Sequence, residues 1–298
     1  MTATTAPPTL RSIVTAPASF GPAAVSFKTW GILLLAPYVV VFALFVVYPV
    51  LYGFWLGSNP AIYRQLFADP AFLQTYLNTI VFLMVAVNVK FALAMALSGF
   101  FVIQRRWIQV MLVIFILPWA MPSIPTILSF RFMLNAEWGV INSEYFRWTF
   151  QDGPGWLNEP GLAFMWSIIV HIWKSLPFWT LILITGRLAI PQELYEAASV
   201  DGASRWQQFR HITWPSLATL YVTSTLLSMI WTLGDFNSVY LLTAGGPGDK
   251  THVLATLGVR YLRIDQLELG IASIITAMPL IIPLVWFMVG RLSRGPQS

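Results

Sequence analysis

The chain contains no cysteine among its 298 residues, which excludes disulfides, thiolate catalysis and cysteine-based zinc sites together. Charge is scarce as well, since only 10% of the residues are Asp, Glu, Lys or Arg where a soluble domain carries about 25%. With 57% hydrophobic residues, that deficit excludes a soluble enzyme and a disordered chain. The net charge of +5 forms no basic stripe, which excludes nucleic acid as a partner. Catalytic signatures are missing too. No lysine follows a glycine, so there is no P-loop for ATP. H-E-x-x-H and G-x-S-x-G are absent, and His171, His211 and His252 are too far apart in the chain to suggest a metal site. What the sequence has in quantity is aromatic, 14 Trp, 10 Tyr and 21 Phe, a supply suited to lipid headgroups and to the lining of a pore.

Crossing the hydrocarbon core takes about 20 mostly apolar residues, so the gaps between charges outline the membrane spans. Lys28 to Arg64 encloses 35 uncharged residues, with an apolar heart from Trp30 to Tyr52. Further gaps run from Arg106 to Arg131, Arg210 to Asp235 and Glu268 to Arg291. Two more segments, Tyr76 to Ile103 and Leu162 to Ile184, are long enough but each contains a lysine, Lys90 and Lys174. The expectation is an all-α integral membrane protein with six transmembrane helices. With the N-terminus inside, nine Lys and Arg lie on the cytoplasmic side against six outside, and the positive-inside rule then puts both termini in the cytoplasm. Residues 1–28, rich in Thr, Ala and Pro, are expected to be a disordered cytoplasmic tail, 29–292 the membrane domain, and 293–298 a second short tail. The apolar segment after the first tail is too long for a signal h-region, and no internal repeat suggests the inverted halves of a complete secondary transporter.

The segment 187–215, between the fourth and fifth spans, is far more polar than its surroundings. Pro191 suits the first turn of a short helix through Val200, and Gly202 supplies the positive φ of a sharp turn after it. Ser204 and Gln207 form the S-x-x-Q pattern of a capping box for a second helix, with Phe209 and Ile212 free to pack inward and Pro215 opening the next span. On these grounds alone the segment is either an amphipathic surface loop or a docking element.

Glu196-Ala197-Ala198, Asp201-Gly202-Ala203, Phe209, Ile212 and Pro215 resemble, at matching spacing, the EAA loop of permease subunits in binding-protein-dependent ABC importers; Trp214 departs from the Leu usual before the proline. The resemblance implies a coupling helix that docks into a cytoplasmic ATPase, with Glu196 making a polar contact and Gly202 allowing the turn. A second segment, Tyr240 to Pro247 with Gly245, Gly246 and Pro247 at its end, followed by Thr251, is similar to the LT-x-GGP segment of carbohydrate-type permeases. On its own it is an extracytoplasmic Gly-Pro turn. LPWAMPS (Leu117 to Ser123), EWGVIN (Glu137 to Asn142) and VHIWKSLPF (Val170 to Phe178) extend the likeness over nearly the whole chain.

A charge at the centre of a span costs roughly 2.5 to 3.5 kcal/mol on insertion scales, so each needs a partner, a wet cavity or an interface. His171, Lys174, Ser175 and Phe178 follow the i, i+3, i+4, i+7 rule on one face of the fourth span, and Ser228, Trp231, Thr232 and Asp235 repeat it on the fifth. Hydroxyls, a cation, an anion and rings suit a hydrated sugar. The resemblance implies a solute site at Ser123, His171, Lys174, Ser175, Phe178, Trp231, Thr232 and Asp235. The plainer alternative is that Lys174 pairs with Asp235 or snorkels to the interface. Lys90 falls near mid-depth and is expected to face another helix. Pro118, Pro122 and Pro125 share one face of the third span and should kink or break it, as a gate or merely as packing.

The expected function is a permease subunit of an ATP-driven importer for a sugar or sugar-like solute, with a type I ABC importer permease fold. It has no ATPase site and no cofactor of its own, because ATP and Mg would be bound by a partner. The partners implied are a second homologous permease, two ATPase subunits, an extracytoplasmic binding protein and the lipid of a bacterial or archaeal cytoplasmic membrane. The alternative is an ATP-independent carrier or channel.

Overall fold

The computed structural model describes residues 27–293, with side chains from 28 to 290. The expected tails, 1–28 and 293–298, therefore lie outside the described residues but for their inner edges. Every regular element among the described residues is helical, as expected of backbone that must satisfy its own hydrogen bonds in lipid. The chain divides into two units, Met1–Trp55 and Leu56–Ser298.

The first unit holds α1 (Phe27–Phe42), a π-helical stretch (Ala43–Val47) and α2 (Tyr48–Leu56), whose last residue begins the second unit. Together they make one apolar run, Lys28–Leu56, of 29 residues. Leu34 and Phe45 are each 75% exposed, and a helix apolar on all sides presents that surface to lipid rather than to water.

The second unit begins with α3 (Pro60–Ala68) and α4 (Pro70–Phe101). The sequence starts both in the same way: Asn59 and Asp69 accept the Ala61 and Ala71 N–H groups at 3.0 and 2.8 Å, and a proline whose missing N–H costs nothing there follows each cap. Then come α5 (Arg106–Ala120), α6 (Ser123–Met133), the short amphipathic α7 (Val140–Thr149) and α8 (Pro160–Leu188). After α9 (Gln192–Val200) and α10 (Arg205–Gln208), a second π stretch (Phe209–Thr213) leads into α11 (Trp214–Leu233). The remaining helices are α12 (Asn237–Thr243), α13 (Leu254–Arg263), α14 (Leu267–Ile275) and α15 (Met278–Ser293).

Among the described residues five stretches are long and apolar enough to span a membrane, and α5 with α6, bent by 95° at the break between them, gives a sixth when the pair is counted as one broken span. The prolines expected to kink the third span are at that break. Phe82 meets Phe164 and His171, Phe91 meets Trp179, and Arg187 donates to Ser98 Oγ and Met95 O. Contacts advancing together along both helices mean that α4 and α8 run parallel. α11 runs against α8. A Cβ on Gly186 would strike Leu220 and come within 2.7 Å of Leu217, while near the other end Thr232 lies beside His171. The small residue lets the two helices close, the usual device where apolar burial gives no drive between helices in lipid. The core is built on this α4–α8–α11 triad, with Phe91, Trp179, Leu183 and Leu217 buried at its centre.

Candidate solute cavity and coupling loop

Antiparallel packing of α8 and α11 brings together the two polar faces that periodicity defines, and the break between α5 and α6 closes the third side. The cavity, open on one side, measures about 510 Å³. Ser123, His171, Lys174, Ser175, Trp231, Thr232 and Asp235 all border it. Phe178 does not. It is the middle ring of a stack with Trp119 and Trp231, with centroids 5.4 and 5.7 Å apart and planes within 29°. The three rings come from α5, α8 and α11. Phe178 lies two turns beyond His171 toward α9, so the stack floors the cavity on that side. Ser228 Oγ, buried at the cavity's edge, has no hydrogen-bond partner among the described residues.

The expected helical placement of Asp235 needs correction. α11 ends at Leu233, and Asp235 lies in the break before α12, where the Ser238 N–H donates to Oδ1 at 3.3 Å. A turn rather than helical periodicity aims its carboxylate. The alternative pairing of Lys174 with Asp235 is not formed either: Asp235 Oδ2 accepts from His171 Nδ1 at 2.6 Å, and Lys174 Nζ donates to the carbonyls of Pro118 and Met121 at 3.1 and 2.8 Å.

Lys90, for which the sequence suggested no partner, is 1% exposed and stands 3.3 Å from His171 Nε2 and 3.5 Å from Thr232 Oγ1. An ammonium cannot accept a hydrogen bond and a carboxylate cannot donate one. Where Lys90 carries an ammonium and Asp235 a carboxylate, only a neutral His171 protonated on Nδ1 can bridge the two, donating to Asp235 and accepting from Lys90. The bridge ties α4, α8 and the α11–α12 break into one buried polar network. Lys90 is the site residue that sequence reasoning left out; its one signal was a cation too deep in a span to be idle. Trp179, Asn237 and Ser238 also border the cavity without having been singled out.

The other functional segment is built by local rules. α9 ends in a Schellman motif, in which Ala203 N–H donates to Ala198 O and Gly202 N–H to Ser199 O, with Asp201 as the C-cap and Gly202 at φ +78°. The capping box is present: Ser204 Oγ accepts from Gln207 N–H at 3.4 Å, and Gln207 Oε1 accepts from Ser204 N–H at 2.7 Å. Tyr195 and Thr213 hydroxyls meet at 2.9 Å, fixing α9 against the base of α11. Glu196 and Ala197 face solvent, Ala198 and Ala203 are half-buried, and Phe209 and Ile212 turn partly inward. Val200 and Trp206 are 89% and 67% exposed. Pro215 lies in the first turn of α11. The second helix of the loop is not separate from the fifth span as expected: α10, the π stretch and α11 follow one another without a break from Arg205 to Leu233. A displacement at the turn thus has a stiff path to Trp231 and Thr232.

At the opposite end of the molecule the Gly245-Gly246-Pro247 loop is fixed by hydrogen bonds. Thr251 Oγ1 donates to Gly246 O, and Asn78 Nδ2 donates to the carbonyls of Lys250 and His252 at 2.8 and 3.0 Å. Gly245 has φ +89°, and a Cβ there would collide with the His252 ring. A charged group surrounds the loop. Asp249 pairs with Arg260 at 2.8 Å, and Tyr261 Oη donates to Asp69 at 2.6 Å. Burial works to raise the Asp69 pKa, but the bonds from Tyr261 and the Ala71 N–H and the Arg260 charge outweigh it and hold the carboxyl below its ordinary value. Burial pushes the His252 imidazole down, against the pull of Asp249, and pushes the Tyr261 phenol up.

Taken together, a helical span array around a polar cavity, with a rigid helix–turn–helix projecting from its fifth span, defines a permease-like membrane protein. Residues 88–290 match the model of the family described as "Binding-protein-dependent transport system inner membrane component". The chain is 33% identical over 259 residues to the sulfoquinovosyl glycerol transport system permease protein SmoG of Agrobacterium fabrum, covering 82% of this chain and 83% of that one. It is 29% identical over 283 residues to the trehalose/maltose transport system permease protein MalF of Thermococcus litoralis, covering 89% and 94%. In three dimensions it is similar to a chain of a bacterial alginate ABC transporter solved with an alginate pentasaccharide-bound periplasmic protein, with a TM-score of 0.78, 21% identity, and 91% and 96% of the two chains covered. The chain belongs to the family of inner-membrane components of binding-protein-dependent transport systems, and it is a permease subunit of the ABC importer class with the type I fold.

Proposed function

We propose that this chain forms, with a second homologous permease, the translocation path for a sugar or sugar-like solute delivered by an extracytoplasmic binding protein. Two ATPase subunits, which bind the ATP and Mg, drive alternating access from the cytoplasmic side, where both termini lie. The observation that carries this reading is the cavity of about 510 Å³ joined to the Glu196–Pro215 loop through one continuous helix. Its chemistry suits a polyhydroxylated ring: Ser123, Ser175 and Thr232 border it with hydroxyls and Trp231 with a flat apolar face.

The relatives support the solute class by the names they carry, one a permease for trehalose and maltose and one for sulfoquinovosyl glycerol. Reconstitution tests the reading. Proteoliposomes holding the assembled complex should accumulate sugar only with ATP on the loop side and the loaded binding protein on the other. Uptake that persists without nucleotide would overturn it in favour of an ATP-independent carrier.

A further inference from the structure

Lys174 is the residue of the cavity whose bonding is least like that of a solute ligand. In a continuous helix the carbonyl of residue i accepts the N–H of residue i+4. The carbonyl of Pro118 would need the N–H of residue 122 and that of Met121 the N–H of residue 125. Both positions are proline, which has no N–H to give. The third span therefore carries two carbonyls orphaned by its own sequence, at the apex of its 95° bend, and a backbone carbonyl in a membrane span is costly to leave without a donor. Lys174 Nζ donates to these two oxygens, at 3.1 and 2.8 Å. The carboxylate of the cavity, Asp235, is meanwhile engaged by His171.

We propose that Lys174 is a positioning residue which replaces the two N–H groups deleted by Pro122 and Pro125, and so latches the broken third span onto α8. The span cannot straighten because the prolines forbid it, and it does not flex freely because Lys174 ties both sides of the apex. Met121 lies at the break itself and Pro118 on the last turn of α5, next to Trp119. The latch therefore holds Trp119 in register with Phe178, one turn along α8 from Lys174, and with Trp231. The lysine sets the floor of the cavity, and its ammonium is matched to backbone carbonyls rather than to a feature of the solute. The transport consequence rests on the reading of the cavity as the solute path; the latch itself does not.

The chain has no cysteine, so two introduced at exposed Val110 in α5 and exposed Phe132 in α6 accept spin labels without background. In the assembled, solute-free complex, Lys174→Met is expected to broaden the distance distribution between the labels, and Lys174→Arg, which keeps several donors, to restore most of its sharpness. Uptake by Lys174→Met should fall roughly tenfold or more in kcat, the scale set by losing charge-assisted hydrogen bonds, with KM within about twofold. Pro125→Ala restores the N–H facing Met121 O, so Lys174→Met should do less harm in that background than in the native one. An unchanged distance distribution with a raised KM would make Lys174 a solute ligand and overturn the latch, as would strict additivity with Pro125→Ala. If Lys174→Met fails to assemble, Lys174→Gln, which lacks the ammonium and is too short to tie both carbonyls, gives the same contrast against Pro125→Ala. The distance measurement needs no solute, so it fails only with the latch, and absent sugar uptake by the native complex fails only the functional reading.

Discussion

The cavity and the coupling loop treat their side chains in opposite ways. In the cavity the buried Lys90 and His171 and the partly buried Asp235 satisfy one another across α4, α8 and the α11–α12 break. In the loop the backbone is self-sufficient through its Schellman motif and capping box, and the side chains are left over: Glu196 makes no ion pair among the described residues, and Val200 and Trp206 stand in the open. On the function proposed above, these apolar groups exposed on a rigid turn are the surface offered to the ATPase. One region gains its function from internal satisfaction, the other from external incompleteness.

That contrast is sharpest under mutation. Gly202→Pro imposes φ near −65° where the turn needs +78°, and Glu196→Lys inverts the charge at the loop's surface. Each is expected to abolish transport and binding-protein-stimulated ATP hydrolysis while the complex still assembles, because neither residue supports the core. Stimulation retained at the native level in either variant would remove the loop from the coupling path.

Cavity substitutions should do the reverse and damage the fold as well as the transport. Asp235→Ala strips the partner from a bridged charge, and breaking a buried pair on one side costs about 3–5 kcal/mol. The expected result is a lower melting midpoint of the solute-free complex together with lost uptake. Lys90→Met with Asp235→Asn, which removes both charges, should recover much of the midpoint but not the transport. Recovery of neither would mean that the bridge does not hold the helices.

How legible the two regions were in the sequence follows from the same difference. The loop is governed by neighbours within six residues, so Gly202, the Ser204–Gln207 box and the limits of α9 could be read directly from the order of residues. Gaps between charges likewise outlined the spans, and three prolines marked the broken one. The cavity depends on partners brought together by packing. Lys90 and His171 are 81 positions apart, and nothing local to Lys90 points to an imidazole. Helical periodicity placed Asp235 on the right side of the protein for the wrong reason, since it could not foresee that α11 would stop at Gly234. The pairing of Lys174 with two proline-orphaned carbonyls was in principle readable from the i+4 spacing of Pro118 with Pro122 and of Met121 with Pro125. It required knowing that α8 passes beside that break.

The smallest effect is expected where a buried and an exposed region meet, around the Gly245-Gly246-Pro247 loop. Burial holds the His252 pKa below its ordinary 6.5, so below that pH the unfolded chain takes up a proton that the folded chain refuses. The stability that His252 contributes is complete above about pH 6.5 and is lost as pH falls toward the depressed folded value. Asp69, also depressed, acts in the same direction but lower, its contribution being complete above 3.8 and lost beneath it. The melting midpoint of the complex should therefore fall in two stages on acidification, first below about pH 6.5 and again below about pH 4. His252→Asn removes the first stage and leaves the second. A first stage that survives in that variant would assign it to another group and leave His252 as a packing partner for Gly245, while a variant flat down to pH 5 would show that the buried imidazole makes this loop acid-sensitive.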